Sequence, residues 1–299
     1  MSVPLPAHVT IRDVGPRDGL QSEAPVPVAD RVRLIEGLVG AGVARIEAAA
    51  FVSPRAVPAM AGGAAVLAAV PRRPGVTYAA LVPNLEGAHF ALDAGVDELT
   101  VTVSVSEAYS QRNVHMSAAD SEAVIAEICG IAGDVPVDAV VSCAFGSPYE
   151  GDIPTETVCG LLGRLRESGC ATVTVADTTG MATPRRIAAL VDAAGVDIGL
   201  HLHDTRGTAL VNAYAALQHG VTRFDTSVGG LGGSPFAPSA AGNLATEELV
   251  ALLDDLGVES GIDVEELITV AGVLAELVGH PVPSRVASAG PRSRLAGPA

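Results

Sequence analysis

The chain is predicted to fold as one α/β domain, a (β/α)₈ TIM barrel with an additional C-terminal helix, and three observations predict it. Short β-rich runs alternate with longer helical patterns at roughly 30 residues per pair, the rhythm of parallel βα units. Eight such pairs fit in 299 residues, a length that barrels use as one domain. No G-x-G-x-x-G follows the first β-rich run, so the open doubly wound sheet, which eight units could also build, lacks its usual phosphate-binding turn.

The strand candidates are Val9 to Val14, Ala44 to Ala48, Thr77 to Val82, Glu98 to Val105, Val137 to Ala144, Ala171 to Asp177, Asp197 to His203 and Arg223 to Ser227. Between them, Ala29 to Ala41, Ser117 to Ala132 and Pro154 to Ser168 carry apolar residues at three-to-four spacing, as outer helices of a barrel should. Thr183 followed by Pro184 reads as a capping residue and a proline in the first helical turn. The barrel is expected over about 9–258 of a single domain spanning 1–299. Beyond it, Val264 to Val278 reads as one more helix, and Pro281 to Ala299 as a mixture of Pro, Ser, Gly and Ala whose end is mobile.

Composition narrows the function. Hydrophobic residues make up 48% of the chain and charged ones 17%, ample for one large core. A net charge of −16 repels nucleic acid and anionic lipid, so neither is an expected partner. All 18 basic residues are arginine. Without a lysine amine the chain cannot be a Schiff-base aldolase, a pyridoxal-phosphate enzyme or a P-loop nucleotidase. Cys129, Cys143, Cys159 and Cys170 form no C-x-x-C pair and read as reduced thiols of a cytoplasmic protein. There is neither a signal-like N-terminus nor a membrane-length apolar run.

In a barrel the reactive groups gather where strands end, at the C-terminal face. Arg17 and Asp18 follow the first strand, Glu47 ends the second, Asp177 the sixth, and His201 and His203 the seventh. Residues i and i+2 of a strand face the same way, so the two imidazoles can point together into the mouth. With Asp18 they offer a divalent cation two nitrogens and a carboxylate, and Asn243 could add a carbonyl oxygen. An isolated H-x-H is more often structural, and a neighbouring carboxylate reverses that balance. Arg17–Asp18 can equally be an ion pair within a turn, and Glu47 and Asp177 can simply cap the next helices. The glycine-rich stretch from Gly229 to Gly242 is either a plain connector or a lid that carries Ser234 over the site.

Together, Gly15-Pro16-Arg17-Asp18-Gly19-Leu20-Gln21, His201-Leu202-His203-Asp204-Thr205, Gly229-Gly230-Leu231-Gly232-Gly233, and Gly242-Asn243-Leu244-Ala245-Thr246-Glu247 resemble the hydroxymethylglutaryl-CoA lyase family. Phe51-Val52-Ser53-Pro54 and Ser147-Pro148-Tyr149-Glu150-Gly151 fit it too, and the likeness runs from Val9 to Ala287. The resemblance implies Mg²⁺ or Mn²⁺ held by Asp18, His201, His203 and Asn243, and an acyl-CoA substrate split into acetyl-CoA and acetoacetate. It implies that Arg17 stabilises charge on the thioester oxygen and is compatible with a homodimer; Gln21, Glu47 and Arg206 are expected to border the substrate. The general base stays open among Asp18, Asp177, His201 and a bound water.

The chain departs from the family at three places. Ser234 stands where its loop carries cysteine, and a serine hydroxyl is a far poorer acid than a thiol of pKa about 8.5, which leaves water or a relay through Asp177 to move the proton. Ala48-Ala49-Ala50 follows Glu47 in place of hydroxyl residues, and Arg206 replaces a tyrosine beside the histidine motif, a cation suited to a substrate with a relocated carboxylate. Three alternatives accompany the leading one: a lyase for a related thioester such as citramalyl-CoA, a Claisen-type acyl-CoA/2-oxo acid synthase, and a barrel that binds acyl-CoA without turning it over.

Overall fold

The computed structural model describes residues 4–233 and 242–294. Eight strands, β1 (Thr10–Asp13), β2 (Arg45–Ala50), β3 (Thr77–Leu81), β4 (Glu98–Ser104), β5 (Val137–Ser142), β6 (Thr172–Asp177), β7 (Gly199–Leu202) and β8 (Arg223–Thr226), pair in sequence order. Every pair is parallel, and β8 returns to β1 through Arg12↔Asp225 and Asp13↔Thr226, which closes the barrel. Closure leaves the sheet without an edge strand.

The expected strands are present, in several cases shorter than the β-rich runs that announced them. Val14 no longer continues β1, because the chain turns at once into one π-helical turn, Gly15–Gly19, whose Asp18 and Gly19 amides both donate to Val14 O. This turn lifts Arg17 and Asp18 over the barrel mouth instead of leaving them along the strand.

Outside the barrel lie α1 (Val28–Gly40), α2 (Gly63–Ala69), α3 (Leu85–Asp93), α4 (Glu107–Asn113), α5 (Ala118–Ala132), α6 (Thr155–Glu167), α7 (Pro184–Ala194), α8 (Ala209–Gln218) and α9 (Thr246–Leu256). Side-chain caps start several of them: Asn84 accepts from Gly87 N, Ser106 from Tyr109 N, Ser117 from Asp120 N, and Thr183 from Arg186 N ahead of Pro184. Each cap satisfies an amide that the first helical turn cannot. Apolar faces such as Leu34, Ile35 and Leu38 of α1, and Leu161, Leu162 and Leu165 of α6, join one continuous core with the outward side chains of the strands.

Beyond the barrel, α10 (Val264–Val278) packs along α1, as the sequence leads one to expect. The segment that follows is described as far as Arg294 and is more ordered there than its composition suggests, while the end expected to be mobile lies outside the described residues. A further short helix, α11 (Arg285–Ala289), is capped by Ser284. It is tied to the barrel by Ser284 N donating to Gly229 O and Arg285 N donating to Glu248. Tertiary hydrogen bonds offset a weak local helix signal there. Among the described residues no helix is long and apolar enough to cross a membrane.

The barrel interior is not purely apolar. Arg12, Glu98, Asp138 and Asp225, each at most 6% exposed, point into the lumen from four strands and pair with one another. Buried charges persist only when paired and hydrogen-bonded, and this set satisfies that condition.

Candidate active site

At the C-terminal face, Asp18, His201 and His203 converge so that one ligand atom from each lies within 4.8 Å of the others, and all three are buried. His201 Nε2 and His203 Nε2 are 3.1 Å apart. His201 Nδ1 lies 3.3 Å from Asp225 Oδ2, an oxygen placed to accept from it, and Nε2 faces the space beside His203. Nitrogen atoms facing each other at that separation, next to a carboxylate, fit a shared cation better than they fit each other.

Asn243 reaches the same cluster along a different path. The chain re-enters at Gly242, where Asp204 N donates to Gly242 O and Leu244 N to Leu202 O, and Asn243 bridges His203 in antiparallel fashion. This clip holds Asn243 Nδ2 against Asp18 Oδ2 at 2.5 Å and Leu231 O at 3.0 Å. Its carbonyl Oδ1 is buried with no partner, an oxygen that a cation would satisfy. Gly232, at φ +121°, passes so close that a Cβ there would collide with Asn243 Nδ2 and Asp18 Oδ2. The glycine-rich stretch therefore owes at least this glycine to a close approach rather than to flexibility.

Arg17 lies beside this cluster. Its Nε donates to Glu47 Oε2 at 2.5 Å and its Nη1 to Asp18 Oδ1 at 2.7 Å. Gln21 Nε2 donates to the same Asp18 oxygen and to Gly233 O, which links the first loop to the glycine-rich loop. Glu47 caps no helix: it is fully buried, and its Oε1 has no partner. Burial alone would raise the Asp18 carboxyl, but Arg17, His201 and His203 outweigh it and hold the group below its usual range. Burial, with help from neighbouring His201, depresses His203 to about 3 and keeps it a neutral donor.

Asp177 sits at the end of β6, with Oδ1 fixed by the amides of Met181 and Ala182 at 2.7 and 2.9 Å. Its Oδ2 is buried without a partner, and burial pushes the carboxyl up to about 7. Arg206 spends Nη1 on the carbonyls of Thr179 and Gly180, at 2.6 and 3.0 Å, and so clasps the loop that carries Asp177. Ser234 lies outside the described residues.

One participant escaped the sequence reading. Asp225 supports His201 from beneath and is itself held by Arg12, although both residues sit inside strands rather than at their ends. The available signal was a charged residue one place before the end of a short strand, Arg12 in Thr10–Asp13 and Asp225 in Arg223–Thr226.

Comparisons with known proteins point to one family. The HMGL-like family model matches residues 8–274. The 3-hydroxy-3-isohexenylglutaryl-CoA/hydroxy-methylglutaryl-CoA lyase of Pseudomonas aeruginosa is 42% identical, over 95% of this chain and 98% of its own. A hydroxymethylglutaryl-CoA lyase of Bacillus subtilis is 40% identical, over 95% and 97%. The solved structure of an HMG-CoA lyase from Acinetobacter baumannii, in complex with coenzyme A and 3-methylmalate, superposes with a TM-score of 0.93 at 38% identity, covering 98% of both chains.

Proposed function

Because the chain belongs to the HMGL-like family, we propose that it is a divalent-metal-dependent carbon–carbon lyase acting on 3-hydroxy-3-methylglutaryl-CoA or a close 3-hydroxyacyl-CoA. The products are acetyl-CoA and acetoacetate, or the matching oxo acid. The observation that carries this reading is the convergence of Asp18, His201 and His203 beside the Arg17–Glu47 pair at the barrel mouth.

Asp18, His201, His203 and Asn243 would hold Mg²⁺ or Mn²⁺, a carboxylate, two imidazoles and an amide oxygen being a donor set such ions accept. Bound there, the ion supplies Lewis acidity that aligns the substrate oxygens and makes the 3-hydroxyl easier to deprotonate. Arg17, locked by Glu47 and Asp18, presents fixed positive charge where the departing thioester enolate develops its negative oxygen. Asp177, poised near neutrality with one free oxygen, can accept and return a proton, the task left open by a serine at position 234. Gln21, which ties the first loop to the eighth, and Arg206, which ties the seventh to the sixth, would border the substrate.

The test is acetyl-CoA release from 3-hydroxy-3-methylglutaryl-CoA by chelator-stripped protein, with and without Mg²⁺ or Mn²⁺, beside Ser234→Cys. Metal-dependent release by the unmodified protein is expected. Release by the variant alone would assign the native reaction to a different thioester, for which the isohexenyl homologue and citramalyl-CoA complete the panel. Silence from both across the whole panel would sink the lyase reading and leave a barrel that binds acyl-CoA without turning it over.

A further inference from the structure

Inside the barrel, directly below the candidate site, Asp225 is placed more rigidly than a packing residue needs to be. Its Oδ1 accepts from Arg12 Nε and its Oδ2 from Arg12 Nη2, both at 2.8 Å, a bidentate fork with little rotational freedom. Arg12 is fixed in turn: its Nη2 lies 2.8 Å from Asp138 Oδ2, and its Nη1 donates to Glu98 Oε1 at 3.1 Å. Asp138 is anchored by the hydroxyls of Thr172 and Thr174. The column therefore runs from β4, β5 and β6 through β1 to β8, and ends at His201 Nδ1 on β7. Arg12 and Asp225 are each only 6% exposed.

We propose that the Arg12–Asp225 pair is a positioning device that commits His201 to its Nδ1–H form, so that Nε2 is offered as a lone pair to the divalent ion. This rests on the metal-dependent reading above and adds residues to it. The chemistry follows from the acceptor. An ionised carboxylate with both oxygens engaged by a guanidinium has nothing to donate, so the imidazole nitrogen facing it must carry the hydrogen. The other nitrogen then lacks one and faces Asp18 and His203. Partners of this kind behind a ligating histidine are commonly worth about 10–100-fold in metal affinity.

Two measurements on the whole protein decide it. Nitrogen-15 histidine NMR at pH 8, with His201 assigned by its loss in His201→Gln, reports the tautomer. Electron paramagnetic resonance titration with Mn²⁺ alone reports affinity without substrate. The unmodified protein is expected to show His201 as Nδ1–H. Asp225→Asn is expected to lose that preference and weaken Mn²⁺ by about 10–100-fold. Asp138→Asn takes an equal carboxylate from Arg12 without touching His201, and is expected to leave both unchanged. An Nε2–H His201 in the unmodified protein overturns the proposal even if Asp225→Asn fails to fold. So does an Asp225→Asn protein with unaltered tautomer and affinity, or an Asp138→Asn protein that loses as much. Failure of the unmodified protein to bind Mn²⁺ would instead refute the metal reading, and the tautomer would still decide what Asp225 does.

Discussion

Arg17 Nε and Glu47 Oε2 meet at 2.5 Å, with the Arg17 side chain nearly buried and that of Glu47 fully so. A buried pair of this kind fixes direction more than it adds stability, because both charges lose their hydration. Here it fixes the plane of the Arg17 guanidinium, whose Nη1 then falls on Asp18.

Replacing Arg17 with lysine keeps the charge and loses the planar fork that fixes its direction between Glu47 and Asp18. Lyase kcat is expected to fall by about 10²–10³-fold, the usual cost of one oxyanion donor, with a smaller change in KM. Steady-state kinetics on Arg17→Lys check this. A KM effect with unchanged kcat would mean that Arg17 only binds substrate.

Removing Glu47 leaves Arg17 buried with Asp18 alone. Glu47→Ala is expected to cost about 3 kcal/mol of unfolding free energy, the lower end for an orphaned buried charge, because one partner survives. Urea denaturation monitored by circular dichroism measures it, and a loss well under 1 kcal/mol would show that Asp18 suffices.

Gly232 has no room for a side chain beside Asn243 and Asp18. Gly232→Ala should therefore weaken Mn²⁺ binding sharply. Gly163, inside α6 with open space where its Cβ would be, is the contrast: Gly163→Ala should raise stability by about 0.4–1 kcal/mol. Mn²⁺ titration and thermal melts on both variants test the pair, and equal metal affinity in Gly232→Ala would remove the close-approach argument.

Asp177 is raised to about 7 by burial, and it belongs to the reaction if it moves the proton. The profile of kcat/KM against pH should then carry a limb near 7 that Asp177→Asn removes along with most of the activity. Retention of the limb in the variant would assign it to another group.

Burial pushes Glu247 to about 8, although Gly229 N donates to both of its oxygens. A folded-state pKa above the unfolded one means that the protonated form is favoured by folding. Its contribution is complete below the ordinary carboxylate range and drains away as pH rises towards about 8. Melting temperature should fall across that window, and Glu247→Gln should flatten the fall. An unchanged slope in the variant would trace the dependence to other groups, Asp13, raised to about 6, being the first to examine.

Much of the barrel was legible in the chain because its signals are local: short continuous β-rich runs and three-to-four apolar spacing name buried strands and outer helices without any knowledge of partners. Thr183-Pro184 announced the start of α7 for the same reason. The residues at strand ends were legible too, since a barrel sends those positions to one face whatever the loops do. The sequence itself also excluded lysine chemistry, and it set a serine at position 234.

Only the tertiary structure decided how those residues are used. Asp18 reaches the histidines because a π-helical turn follows β1, and Asn243 reaches Asp18 because the returning chain pairs with β7 across Gly232. Arg206 spends its charge on loop carbonyls, and Asp225 is the partner of His201 from a neighbouring strand. Each of these depends on atoms separated by tens to hundreds of residues and brought together by barrel closure. Local spacing carries no information about such distances, since a residue's burial and hydrogen-bond partners exist only once the whole sheet has closed.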